Sequence, residues 1–503
     1  MPPPGSPSAW RVSWTCEVRD PNPFSTLHPA TILSPFEPVE ISGRGPIHFM
    51  GIGGAGMTPL AELFLRAGAR VTGCDLHPGS GAEGLRAVGA EVCAGHDPSH
   101  VEGCAALVVT SAVPQDHPEV AAARARGIPV LKRAEALGAV VNRGNVVGIA
   151  GTHGKTTTTT LATTVLAAAG LDPTGIVGGR VPAWGGNLRH GSDRLYVVEA
   201  DEYDRSFLTL RPGIAVVTTL EADHLDIYGS LSAIEDAFLA FVDAVPSDGM
   251  VAGCADDHGA GRLLARVGGA GREVVSYGLG AGAVYRAEEV RNVGGETRFA
   301  VRERGVRLGE ARLRVPGLHN VRNALAAVAV ARRLGAEWSA VEKGLAAYAG
   351  VDRRFERVGE AGGVLFVDDY AHHPTEIDAT LRAARSAYPD RRVVAVFQPH
   401  LYTRTRDFAE EFGQALALAD RVFVTDVYAA REAPLPGVTG ERVVEAARSS
   451  GADVRYLPER DRVAFEVAAE LKSGDVCLTL GAGNLDAAAR EMLDLLGGVV
   501  SPA

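Results

Sequence analysis

From Pro46 almost to the last residue, short aliphatic runs lead into glycine-rich or polar loops and then into alanine- and leucine-rich stretches of helical spacing. Glycine often closes the helical stretches, as at Gly68 and Gly170, where a left-handed residue ends a helix without steric penalty. This β/α alternation is the pattern of doubly wound parallel sheets. Strands are predicted over 47–50, 145–150, 195–198 and 214–218, and helices over 57–67, 157–169 and around 341–348. Five further strand runs follow Gly350, over 364–368, 393–397, 422–425, 454–457 and 476–480. Between Gly268 and Arg314, glycine-rich segments with Arg/Val alternation predict a β-insertion in the middle of the chain. No internal repeat with a period of about 20 to 50 residues interrupts the pattern.

The alternation divides into three α/β blocks, 44–140, 141–349 and 350–503, preceded by a proline-rich stretch, 1–43. That stretch lacks the basic start and apolar core of a signal peptide, and is read as a disordered extension or a start-site artefact. A length of 503 residues agrees with three domains, since one hydrophobic core rarely grows past about 250 to 300 residues. The 50 basic and 61 acidic side chains leave a net charge of −11. Such a surface repels a phosphate backbone, so nucleic acid is not expected as a general partner. No run of 18 apolar residues occurs, and no membrane span is expected. The six cysteines lack Cys-x-x-Cys spacing, which suits buried thiols in a reducing cytoplasm better than a disulfide framework or a zinc site. Only Lys132, Lys155, Lys343 and Lys472 are lysines.

Two loops carry phosphate-binding signals. Gly51, Ile52, Gly53, Gly54, Ala55 and Gly56 connect the first predicted strand to its helix, and Asp75 ends the next strand 19 residues later. Glycines of this spacing let the backbone approach a pyrophosphate at a helix N-terminus, and the acid suits a ribose. The loop alone leaves the nucleotide open. Gly151, Thr152, His153, Gly154, Lys155 and Thr156 follow the strand 145–150. Amides of such a loop cradle phosphates, the lysine reaches the β and γ groups, and the threonine hydroxyl joins Mg2+. Ile149 stands where a full Walker loop has its first glycine, so the loop is a shortened variant. Two phosphate loops, each opening its own block, predict two phosphorylated ligands.

Acidic runs end the next two strands, over 199–204 and 221–226, where carboxylates are placed to hold Mg2+ or form solvated turns. His224 serves there as a ligand or as a hydrogen-bonded core residue. Asn320 and Asn323 share one helix face, either capping the helix or bonding an adenine edge. In the third block, Arg353, Arg354, Asp369, Tyr370, His372, His373 and Glu376 precede Gln398, His400, Arg404 and Arg406. Histidine and arginine so dense at strand ends suit an anionic ligand or a surface arginine patch.

In their order, the segments 51–57, 151–156, 199–207, 221–226, 317–327, 369–376 and 398–407 resemble the motifs of the Mur ligase family, over about residues 46 to 490. The resemblance implies a Rossmann-like N-terminal domain, a central P-loop-type ATPase α/β domain with a β-insertion, and a Rossmann-like C-terminal α/β domain. It implies ATP-dependent ligation of L-alanine to the carboxylate of UDP-N-acetylmuramate through an acyl phosphate, in peptidoglycan precursor synthesis. The segments 53–57 and 371–376 separate this branch from relatives that add D-glutamate, a third residue or D-Ala-D-Ala.

On the same resemblance, Gly51, Gly53, Gly54, Ala55 and Gly56 are expected to hold the pyrophosphate of the UDP-sugar rather than NAD, with His48, Asp75 and Ser111 as further contacts. ATP is expected on Gly151, Thr152, His153, Gly154, Lys155, Thr156 and Thr157, with Asn320 and Asn323 on adenine and Arg354 reaching the nucleotide. Thr156 and Glu199 are expected to ligand Mg2+, with His224 near a second ion. Tyr370, His372, His400 and Arg404 are expected around L-alanine and the muramoyl carboxylate. Lys155, His224, His372, His400 and Arg404 make up the catalytic set, and His372 and His400 are both open as the amine base.

Two positions depart from the family pattern. No lysine lies between Lys155 and Lys343, so the carbamylated lysine of later-acting relatives is impossible here. Leu401 stands where an arginine is expected beside His400. Competing expectations are a recycling ligase that attaches a whole tripeptide to the same sugar, and an NAD-dependent oxidoreductase fused to an ATPase.

Overall fold

In the computed structural model of the chain, residues 43–110, 112–267, 271–293, 296–430, 432–497 and 499–500 are described. Ser111 and residues 1–42 of the proline-rich stretch lie outside the described residues. Three sheets carry the architecture. The first contains β1 (Ile47–Met50), β2 (Val71–Asp75), β3 (Glu91–Ala94), β4 (Ala106–Val109) and β5 (Val130–Lys132). Its order is β3-β2-β1-β4-β5, with every pair parallel. The strand order therefore reverses beside β1, and such a switch point opens a crevice at the C-terminal ends of the strands.

The second sheet contains β6 (Asn145–Ala150), β7 (Pro173–Val181), β8 (Gly186–Arg189), β9 (Ser192–Glu199), β10 (Ile214–Val217), β11 (Met250–Cys254), β12 (Glu273–Gly278), β13 (Tyr285–Val293), β14 (Glu296–Glu303) and β15 (Val306–Leu313). Its order is β15-β14-β13-β12-β11-β10-β6-β9-β7-β8. The expected β-insertion is thus a continuation of this sheet. β13 pairs parallel with β12, and the antiparallel meander β13–β15 extends the edge. Its Arg/Val alternation follows from one face being wet, where Arg302 bonds Glu288 at 2.6 Å and Arg291 bonds Glu310 at 2.7 Å.

The third sheet contains β16 (Glu356–Ala361), β17 (Val364–Asp369), β18 (Arg392–Phe397), β19 (Arg421–Val424), β20 (Val454–Tyr456), β21 (Asp475–Leu480) and β22 (Val499–Val500), in the order β20-β19-β18-β21-β17-β16-β22. Its inner strands carry unbroken apolar runs, such as 364–367 and 393–397, because both faces are covered. Val393, Ala395 and Phe397 enter one buried cluster, while Val394 and Val396 enter the cluster on the other face.

The helix Lys155–Ala168 begins directly after Gly154, inside the second loop and two residues earlier than its sequence predicts. Its threonine run is compatible with a helix because hydroxyls bond carbonyls one turn back, as in Thr159 to Lys155 at 2.9 Å and Thr163 to Thr159 at 2.7 Å. The buried, alanine-rich helix Leu318–Arg333 shares the same core. No helix among the described residues is long and apolar enough to cross a membrane.

Candidate active site

β6 runs between β9 and β10, so the loop after β6 and the acidic ends of β9 and β10 come together. The loop itself is fixed by β10's exit. Thr152 N donates to Thr219 O at 2.9 Å, His153 N to Thr219 Oγ1 at 2.9 Å, and Glu221 N to Thr152 Oγ1 at 2.9 Å. Gly151 and Gly154 have φ of +134° and +82°, and a Cβ on Gly154 would stand 2.7 Å from Asn323 Oδ1. Gly154→Ala is therefore expected to destabilise the protein by about 1–2 kcal/mol from its left-handed backbone alone. Chemical denaturation measures this, and an unchanged midpoint would show that the loop closes without that conformation.

Lys155 Nζ donates to Glu202 Oε1 at 2.8 Å and to Gly151 O at 2.8 Å. Burial disfavours its charge, but Glu202, Asp201 and Glu199 outweigh burial and hold the ammonium well above its ordinary range. Burial pushes the Glu202 carboxyl up to about 7 against the pull of Lys155. Thr156 Oγ1 lies 3.0 Å from both oxygens of Glu199, and Gly178 N donates to Glu199 at 2.7 Å. Threonine hydroxyl and carboxylate so paired form an oxygen donor set suited to a hard divalent cation.

The third sheet delivers the opposite wall. Arg404 Nη2 donates to Asp223 Oδ1 at 2.8 Å, and its Nη1 lies 3.4 Å from His400 Nδ1. The buried carboxyl of Asp223 is held below the usual carboxylate range because Arg404 and His224 outweigh burial. His224 has φ of +51°, its ring meets Tyr203 edge-on at 5.2 Å, and burial lowers its basicity. His372 Nδ1 lies 2.9 Å from the carbonyl of Tyr370, and burial brings its ring down to about 4. A carbonyl only accepts, so the neutral ring carries its proton on Nδ1 and its lone pair on Nε2. The guanidiniums of Arg353 and Arg354 sit 5.0 and 5.2 Å from the centre of the Tyr370 ring. Burial opposes protonation of His153, but Glu376 and Glu221 bring it up to about 9. A charged imidazole thus joins the second loop to the helix Pro374–Ala387.

Two cavities of about 170 and 390 Å3 meet at His153, Gly154, Arg354 and Glu376. The smaller is lined by Asn320, Asn323 and Tyr348; the larger holds Lys155, Glu199, His224, His372, His400 and Arg404. A third cavity of about 240 Å3 runs from Gly56 and Arg133 of the first block to Glu199. In the first loop, Gly53 N donates to Asp75 Oδ2 at 3.0 Å, which ties the acid to the glycines. His48 is placed differently. It is 2% exposed and turned into the protein, with its ring nitrogens at Thr72 and Cys74.

Sequence reasoning overlooked Glu202, Asp223 and Glu376 as functional partners, although each lies inside a recognised motif. Their significance depends on Lys155, Arg404 and His153, which stand 47, 181 and 223 residues away. No local spacing signals such pairs.

Comparison with known proteins finds one family over most of the chain. Residues 46–144 match the Mur ligase family catalytic domain, 149–331 the Mur ligase middle domain, and 353–483 the Mur ligase glutamate ligase domain. UDP-N-acetylmuramate–L-alanine ligase from Salinibacter ruber is 48% identical over 452 residues, 90% of this chain and 94% of the relative. The enzyme of that name from Acidothermus cellulolyticus is 47% identical over 90% of this chain and 94% of its own. Among solved structures, UDP-N-acetylmuramate–alanine ligase from Thermotoga maritima matches with a TM-score of 0.76 at 28% identity, over 90% of this chain and 98% of that one. A murein peptide ligase from Psychrobacter arcticus matches with a TM-score of 0.66 at 27% identity, over 91% and 99%.

Proposed function

Because the chain belongs to the Mur ligase family, we propose that it joins L-alanine to the carboxylate of UDP-N-acetylmuramate, converting ATP to ADP and phosphate in peptidoglycan precursor synthesis. The observation that carries this reading is the single cavity in which Lys155, the Thr156–Glu199 pair and the third sheet's His372, His400 and Arg404 converge. The identity to enzymes named for this reaction supports it.

Each block takes one part of the reaction. Residues 44–140 bind the UDP-sugar, with amides of the first loop on its diphosphate and Asp75 on the ribose. The cavity from Gly56 to Glu199 accommodates the muramoyl arm. Residues 141–349 bind ATP, with adenine beside Asn320 and Asn323 and phosphates on the loop from Gly151 to Thr157. Residues 350–503 bring Arg354 to the nucleotide and Tyr370, His372, His400 and Arg404 to the amino acid and the muramoyl carboxylate. Leu401 and Ala482 supply apolar wall beside them, which suits a methyl side chain.

A carboxylate is a poor acyl donor because oxide is a poor leaving group. Its oxygen therefore attacks the γ phosphorus, the bond to the β-phosphate oxygen breaks, and ADP leaves. Lys155 exchanges Glu202 for the developing phosphoryl charge. Thr156 and Glu199 hold Mg2+, which when bound neutralises charge on the phosphates, and His224 lies across the same cavity. The alanine amine then attacks the acyl carbon, the bond to the phosphate oxygen breaks, and an amide forms. His372, neutral at pH 7 with its lone pair on Nε2, accepts the proton that the amine loses. Arg404 steadies the tetrahedral oxyanion.

The test is phosphate release measured with UDP-N-acetylmuramate against a panel of amino acids and the tripeptide. Release is expected to require the sugar and to be fastest with L-alanine. Release indifferent to both sugar and amino acid would reject the ligase reading, and preference for the tripeptide would move it to the recycling branch.

A further inference from the structure

A second group of chemically capable side chains lies beneath the first glycine loop. His48 comes from β1, Cys74 from β2, His96 and His100 from the segment after β3, and Glu119 from the first turn of the helix Pro118–Ala125. One donor atom each from His48, Cys74, His100 and Glu119 lies within 4.8 Å of every other. His48 Nε2 is 3.3 Å from Cys74 Sγ, Cys74 Sγ is 3.4 Å from both Glu119 oxygens, and His100 Nδ1 is 2.9 Å from Glu119 Oε1. A tetrahedral zinc ion with bonds of about 2.0–2.3 Å holds its donors about 3.3–3.8 Å apart. These contacts therefore need only slight expansion to admit one.

We propose that His48, Cys74, His100 and Glu119 form a zinc site in the first block. The charges support a divalent ion, because a thiolate and a carboxylate together neutralise it, whereas a fully buried carboxylate is costly without a proton or a cation. The donor types select zinc over Mg2+, which takes oxygen ligands. His48 is held in a ligand's orientation, since its other ring nitrogen lies 2.8 Å from Thr72 Oγ1. His96 Nδ1, 3.1 Å from Cys74 Sγ and 3.4 Å from Glu119 Oε2, flanks the set. The ligands come from separate elements with a single cysteine among them, so a search for paired cysteines passes over the site.

The position gives such an ion a structural consequence for the loop. The Cys74 carbonyl accepts from Gly51 N at 2.7 Å and from Ile52 N at 3.1 Å, and the next residue, Asp75, holds Gly53 N. Zinc on Cys74 thereby fixes the strand end from which the first glycine loop hangs.

The full chain, equilibrated with Zn2+ and then dialysed into Mg2+ buffer, is expected to retain one zinc per chain by elemental analysis. Replacing zinc by Co2+ is expected to give a thiolate-to-cobalt charge-transfer band in the near ultraviolet. Cys74→Ser should abolish that band and Glu119→Gln should weaken zinc binding at least about tenfold. A cobalt spectrum of the unaltered chain without the thiolate band would overturn the proposal, and that measurement needs no variant to fold. Zinc retained equally by Cys74→Ser would also overturn it, leaving a network of imidazoles and a thiol that share protons with Glu119.

Discussion

Lys155→Ala is expected to lower the rate of L-alanine-dependent phosphate release at least about a hundredfold while leaving most of the protein folded. The rate follows from what the ammonium meets. A preorganised donor aimed at charge that develops in the transition state contributes about 3 kcal/mol or more, which is about two decades in rate. The modest stability loss follows from Glu202. Burial already pushes this carboxyl up to about 7 in the presence of Lys155. Without the ammonium the carboxyl rises further and takes a proton at pH 7, so no uncompensated charge remains in the interior. Steady-state turnover and a thermal melt of the same preparation check both parts. Near-normal turnover would remove the second loop from the chemistry, while an unfolded variant would show that Glu202 stays ionised without its partner.

What the sequence reveals and what it hides divide along a physical line. The second loop was legible because all its parts are contiguous: a buried strand, glycines for left-handed turns, a lysine and a hydroxyl at a helix start. The inner strands of the third sheet were legible because burial on both faces leaves unbroken apolar runs. β16 was not, since its residues Glu356, Arg357 and Glu360 stand on an antiparallel strand outside the parallel core and break any apolar run. The helix after the second loop begins at Lys155 because Gly154, in a left-handed conformation, turns the chain into it at once. The larger gap concerns pairing. Arg404 reads as a substrate contact from its motif, yet its partner Asp223 comes from another sheet's loop, and only the fold brings them to 2.8 Å. His48 shows the reverse case, because its place beside the first loop suggests a ligand contact while its strand register turns it inward.

That pairing makes Arg404→Met the other variant with a large expected effect, on both folding and turnover. The two side chains are 6% and 12% exposed, so removing the guanidinium leaves Asp223 buried without its main partner. Breaking a buried pair on one side costs about 3–5 kcal/mol. The pH dependence has a definite sign. In the unaltered chain Asp223 titrates below its ordinary value, so its contribution is present above about pH 4 and fades as pH falls towards the folded value. In the variant, burial acts without Arg404 and raises the carboxyl, so acid protonates it and relieves the stranded charge. The stability gap between the two proteins is therefore expected to narrow from pH 7 to pH 4, as measured by denaturant midpoints. A gap independent of pH would show that Asp223 is not the origin of the loss. Adding Asp223→Asn to Arg404→Met should restore much of the stability, because the amide carries no charge to strand. It should not restore turnover, which is expected to stay at least about a hundredfold down, since the guanidinium is still missing from the wall that faces Lys155. Recovery of both together would reduce Arg404 to a structural brace between the second and third sheets.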